Sequence, residues 1–244
     1  MRLALAILLA LPVFGAAQEL WHFGSPNLIY GIYRKKWHDA VYFDEVRIGH
    51  IDTTVKDTQW NGVPCKLYTS NSFFSPKEGM PAIPTVRITK SYIGVDGKVL
   101  RVETSYSDWQ KSVIVVADFK VDEIELFVRD KNGERRSTLN PAGGTDSFRN
   151  PFLSLIAEME KDRKDVKFQL IDPSSGGLIS YTARAVGKFN GTISNEKFQG
   201  AIVELNGPLG RDKVWITDKG MMIKVELHDG AVVNAQDFPF KIDG

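Results

Sequence analysis

Dipeptides of Asn or Asp followed by Gly punctuate this chain at Asn61-Gly62, Asp96-Gly97, Asn132-Gly133, Asn190-Gly191 and Asp229-Gly230. Both members of such a pair readily take the positive φ angles of a two-residue hairpin, so each one signals two antiparallel strands joined tightly. Asp44-Glu45 and Lys219-Gly220 sit in similar positions. Between these marks, apolar residues alternate with period two, as in half-buried strands. In 221–228, Met221, Ile223, Val225 and Leu227 share one face, while Met222, Lys224, Glu226 and His228 share the other. Segments 37–43, 46–56, 63–73, 85–93, 98–107, 112–119, 123–129, 166–171, 179–186, 199–206 and 213–217 read the same way. Short connections favour pairing between neighbours in sequence. The expected fold is mainly β: a curved antiparallel meander sheet, or half-open barrel, of about a dozen strands.

One segment keeps a different period. Phe152, Leu155, Ile156 and Met159 follow the i, i+3, i+4, i+7 spacing of an amphipathic helix. Asn150 can cap it, Pro151 suits its first position, and Lys161, Arg163 and Lys164 suit its C-terminal end. The spacing predicts one helix over 151–163, packed on the sheet as a plug or lid.

The chain opens with one basic residue, Arg2, then an apolar run from Leu3 to Val13, then Gly15-Ala16-Ala17. That order is the pattern of a secretory signal peptide, with cleavage expected after Ala17. The run is too short to span a bilayer, which takes roughly 20 residues. No Cys follows it for lipid attachment, and no later stretch is long and apolar enough to span as a helix. The expected organisation is a signal peptide at 1–17 and one β-rich domain at 18–244, periplasmic or secreted.

Composition narrows the partners. Basic residues number 31 and acidic ones 30. Removing Arg2 leaves a balanced chain, without the basic footprint of a nucleic-acid binder. Cys65 is the sole cysteine, so an intramolecular disulfide is impossible. It alternates in phase with Val63 and Leu67, which points to a buried, inert thiol.

Chemistry-bearing patterns are sparse. His22, His38, His50 and His228 have no metal-ligand spacing, and His50 with Asp52 supplies only two groups on one strand face. No Gly-x-Ser-x-Gly elbow occurs, and Cys65 lies in mid-strand rather than at a helix N-terminus. Glu123 and Glu125 alternate with Ile124 and Leu126, as on a solvated strand face. His228, beside Lys224 and Glu226, reads as surface. No catalytic residue, metal site or cofactor is therefore assigned. Aromatics are denser near the start, at Trp21, Phe23, Tyr30, Tyr33, Trp37, Tyr42 and Phe43. The strand 46–56 mixes Ile and Val with His50, Asp52, Thr53 and Thr54, so neither face is purely core.

Val41-Tyr42-Phe43-Asp44-Glu45-Val46-Arg47-Ile48-Gly49-His50 resembles the opening hairpin of uncharacterised bacterial exported β domains. Some of these stand alone and others precede a transglutaminase-like cysteine-protease fold. The 95–100 hairpin, Val-Asp-Gly-Lys-Val-Leu, and Trp215 to Lys224 are similar. Such domains look like the half-open barrel of periplasmic lipoprotein carriers, a curved antiparallel sheet closed by helical lids. The resemblance implies that architecture. This chain departs from it by having one helical segment and no Cys-His-Asp set to carry over.

The expectation is a non-enzymatic exported binding module for an apolar, lipid-like ligand or a cell-envelope protein partner. Its ligand-binding wall should include Phe152, Leu155, Ile156 and Met159 with inward residues of central strands. The alternatives are an envelope assembly protein, docking through a sheet edge or the segment 18–37, and a hydrolase whose site one sequence does not reveal.

Overall fold

A computed structural model describes residues 29–38, 42–74, 83–141, 165–172, 175–193, 196–208, 210–218, 222–235 and 240–243. The strands, in chain order, are β1 (Ile29–His38), β2 (Tyr42–Trp60), β3 (Val63–Phe74), β4 (Thr85–Gly94) and β5 (Val99–Ser107). There follow β6 (Ser112–Phe119), β7 (Ile124–Asp130), β8 (Gly133–Leu139), β9 (Val166–Ile171) and β10 (Leu178–Ile193). The last are β11 (Glu196–Gly207), β12 (Gly210–Thr217), β13 (Met222–Glu226), β14 (Ala231–Ala235) and β15 (Phe240–Asp243). All ladders among the described residues are antiparallel. One path of hydrogen bonds runs β15-β10-β11-β12-β13-β14-β1-β2-β3-β4-β5-β6-β7-β8, with β9 on the first half of β10.

The hairpins form where the turn chemistry is right. Asn61 and Gly62 have φ of 49° and 80°, the left-handed pair that joins β2 to β3. Gly97, Gly133 and Gly230 likewise take positive φ at expected turns. Two expected turns lie inside strands instead. β2 runs straight through Asp44-Glu45, with Asp44 opposite Lys36 and Glu45 opposite Lys35. Neither residue is a Gly or Asn, and the pairing with β1 extends past them. β10 likewise runs through Asn190-Gly191, which face Gln199 and Phe198.

The expected alternation in 221–228 is also broken. A bulge between Trp215 and Ile216 pairs Ile216 with Met222. An inserted residue reverses the faces beyond it. Met222 therefore packs inward with Val225, while Ile223 goes outward to Trp215 and Phe189. The strand β8 was not expected, because Gly-Glu-Arg-Arg-Ser-Thr-Leu has no apolar face to reveal it. The helix expected over 151–163 lies outside the described residues, as does the signal segment 1–17. Among the described residues, no helix is long and apolar enough to cross a membrane.

The sheet curves until its two ends touch. Ile171 and Leu178, flanking the β9–β10 turn, join an apolar cluster with Val99, Val113, Val115, Ala117, Ile124, Leu126 and Val128. Arg135 of β8 donates to the Ser175 carbonyl at 3.2 Å. Gly176 in that turn has φ of 76°, and a Cβ there would come within 2.7 Å of Val128 and 2.9 Å of Leu126. No strand ladder joins these ends among the described residues. The curved sheet is thus not closed into a barrel by its backbone, and its ends meet through side-chain contacts. The larger core lies on the wall formed by β1, β2 and β9–β14, where Tyr30, Ile32 and Ile51 are wholly buried. Fully burying each such side chain contributes roughly 1.5–3 kcal/mol. β1 lies inside this wall between β14 and β2, so residues 29–37 are not a free docking arm.

A smaller cluster covers the outer face. Phe189, Trp215 and Ile223 pack with Phe198 and Ile202, and Phe189 meets Phe198 edge-on at 5.7 Å. Phe189 lies over Gly200, its cross-strand partner, whose missing side chain makes room for the ring. The same ladder repeats the device at Tyr181, whose ring covers Gly207 and stacks on Phe168 at 5.5 Å.

His228 is packed rather than plain surface. Its Nδ1 lies 3.0 Å from Asp212 Oδ1, and its backbone N–H donates to the same oxygen at 2.8 Å. Asp212 is buried, so removing it leaves two donors unsatisfied. Asp212→Ala should cost about 2 kcal/mol. Chemical denaturation checks this, and a change below about 0.5 kcal/mol would rule out the anchoring role.

Candidate functional site

The two apolar clusters of the interior are separated by a polar stripe. Thr53, Ser70, Thr89 and Thr104 stand in register on the consecutive strands β2, β3, β4 and β5. The next row holds Ile51, Ser72, Arg87 and Tyr106. Ser91 adds another hydroxyl opposite Val102. These seven Ser, Thr and Arg side chains are only 2–5% exposed. They share the inward parity of Ile51, Phe74 and Val115, which belong to the flanking clusters.

Thr104 donates to Thr89 across the ladder at 3.4 Å. The Arg87 guanidinium lies 5.9 Å from the centre of the Tyr106 ring, an arrangement favourable for cation–π attraction. Tyr106 in turn donates to Asp108 Oδ2 at 2.6 Å. Asp108 is fixed by the β5–β6 turn, where Oδ1 accepts from the backbone of Gln110 and Lys111. Burial pushes the Tyr106 phenol far above its ordinary range; the bond to Asp108 and that residue's charge add to this, and Arg87 opposes it. The phenol therefore stays a hydrogen-bond donor at any physiological pH. The stripe thus gathers seven buried Ser, Thr and Arg side chains beside the Tyr106–Asp108 pair.

Two histidine side chains are described, His50 and His228. His50 stacks on Phe73 at 5.5 Å and lies 3.7 Å from Asp52. His228 is bonded to Asp212. Among the described residues, neither ring is hydrogen-bonded to a Ser or Thr hydroxyl. Among the described residues no group of three His, Cys, Asp or Glu side chains could share a metal ion. Cys65 is buried on the outer side near Tyr92. Burial pushes its thiol up, and a backbone hydrogen bond from Trp60 only partly offsets this. Such a thiol is a poor nucleophile.

The outer face carries charge in pairs. Arg101 grips both oxygens of Asp118 at 2.6 and 2.7 Å, bonds Glu103 at 2.7 Å, and lies 4.6 Å from the Trp60 ring. Trp60 leans on Tyr92 at 4.9 Å. Beside this cluster, a groove of about 650 Å³ crosses β5–β8.

Of the residues expected to bind ligand, Phe152, Leu155, Ile156 and Met159 lie outside the described residues. The hydroxyl stripe was not foreseen. Its one sequence signal was the mixed strand 46–56, where Thr53 breaks an otherwise apolar inner face.

No protein-family model matches the chain, and no curated protein sequence matches it. A solved structure does resemble it: a β-barrel-like protein from Brucella abortus, of a domain of unknown function called DUF1849. The two align with a TM-score of 0.55 over 88% of this chain and 99% of that one, at 13% sequence identity. At that identity the likeness is one of fold. It carries no link to transglutaminases or lipoprotein carriers. What the chain shares with that bacterial protein is a mainly β, barrel-like architecture.

Proposed function

We propose that this chain is an exported, non-enzymatic binding module whose interior takes an apolar ligand with an anionic or hydroxylated head. The observation that carries the reading is the polar stripe between two apolar clusters. Ligand sites are mostly apolar, with a few placed polar groups that fix orientation. Here the apolar part would lie against the flanking clusters, and the head would meet Thr89, Thr104 and Arg87. The segment 151–163, with Phe152, Leu155, Ile156 and Met159, would supply the cover. Export rests on the signal pattern at 1–17.

Native mass spectrometry of protein purified from its own host tests this directly. The expected result is a co-purifying amphiphile. A second measurement uses a fluorescent fatty acid. Arg87→Met should weaken its binding about tenfold, the worth of one charge-assisted contact, while a neutral monoglyceride analogue binds as before. A protein that carries no amphiphile and binds neither probe would overturn the reading.

A further inference from the structure

β8 ends the sheet path, and among the described residues only β7 pairs with it. Every residue from Gly133 to Thr138 is exposed. Its outer edge has no strand partner among the described residues, and the β9–β10 turn reaches it through Arg135, whose side chain donates to the Ser175 carbonyl. Most charges nearby are already satisfied. Glu134 lies 3.6 Å from Arg129, and Arg135 bonds Asp130 at 2.7 Å. In the adjoining groove, Asp118 is held by Arg101 and Glu125 by Lys120. Arg136 is the exception. It lines that groove with its guanidinium 5.7 Å from the Phe127 ring centre, and no carboxylate pairs with it among the described residues.

We propose that the β8 edge docks an extended, acidic peptide segment of a partner protein by strand addition. The partner's main chain continues the sheet beyond β8, as in other edge-pairing complexes. A Glu or Asp at the cross-strand position meets Arg136 over Phe127 and supplies the missing countercharge. A second copy of this chain fits worse. Antiparallel pairing of two β8 strands about their middle residue sets Arg136 against Arg136, and like charges directly opposite are destabilising. This docking is independent of the interior ligand, and failure of one leaves the other standing.

The test is fluorescence anisotropy of the whole protein with a short labelled peptide of alternating Val and Glu. The expected result is saturable binding that Arg136→Glu weakens about tenfold and Arg136→Gln weakens less. The Val/Lys peptide should not bind. A Val/Glu peptide with N-methylated amides along its pairing edge should not bind either, since it keeps the charge and loses the ladder. The exposed position of Arg136 leaves the fold of both variants intact, which far-ultraviolet circular dichroism checks. Equal binding by wild type and Arg136→Glu, or by the N-methylated peptide, would overturn the proposal. So would light scattering that showed a dimer disrupted by Arg136→Glu, since the edge would then belong to a second copy.

Discussion

Gly176→Val should lower the melting temperature by about 10 °C and raise binding of a hydrophobic dye. Two effects add. A φ of 76° is a conformation that L side chains rarely adopt, with a cost of about 1–2 kcal/mol. The new Cβ also lands 2.7 Å from Val128 and 2.9 Å from Leu126, and such overpacking costs about 1–3 kcal/mol. Together these come to about 3 kcal/mol, or roughly 10 °C for a chain of this size. Because no ladder joins the sheet ends there among the described residues, the displaced turn exposes the cluster beneath it. Gly177→Ala is the control. A Cβ at Gly177 meets only the Ser175 hydroxyl, at 3.4 Å, so its effect should stay within about 1 kcal/mol. Equal destabilisation by both changes would locate the cost in the loop itself rather than in the contact with β7.

Gly200→Ala should cost about 3 kcal/mol, more than most buried substitutions. Its Cβ would meet the Ile216 carbonyl oxygen at 2.4 Å and the Phe189 ring at 2.5 Å. The ring can yield, but the carbonyl belongs to the neighbouring strand β12 and cannot move without parting the ladder. Phe189→Ala removes half of that conflict. The double variant should therefore lose less stability than the sum of the single losses, by about 1 kcal/mol in a thermodynamic cycle. Strict additivity would mean that the ring does not feel the new methyl group.

The sequence reading succeeded where one local signal decides the outcome. Asn61-Gly62 made a hairpin because both residues take left-handed φ, and no distant contact had to agree. Asn190-Gly191 carries the same signal, yet it was overruled by the long pairing of β10 with β11. The faces of Met222 and Ile223 were misjudged for a related reason. A bulge is a relation between two strands, and alternation within one strand does not encode it. β8 was missed because an edge strand exposed throughout needs no apolar face. The site was harder still. Ser70, Thr89 and Thr104 are ordinary strand residues when read singly. They become a stripe only through the register of β3, β4 and β5, which is a relation between strands that alternation within any one of them does not encode.

The place of β1 also sets the order in which the molecule can assemble. Tyr30 hydrogen-bonds the Met222 carbonyl 192 residues away, and β1 is flanked by β2 on one edge and β14 on the other. During synthesis the meander from β2 to β8 can form from neighbours alone. β1 must wait with one edge unmatched until residues 231–235 emerge. Closing so long a loop makes folding slow compared with a fold built of local contacts. A chain interrupted before β14 would keep Tyr30 and Ile32 in water beside an open strand edge, ready to pair with the wrong neighbour.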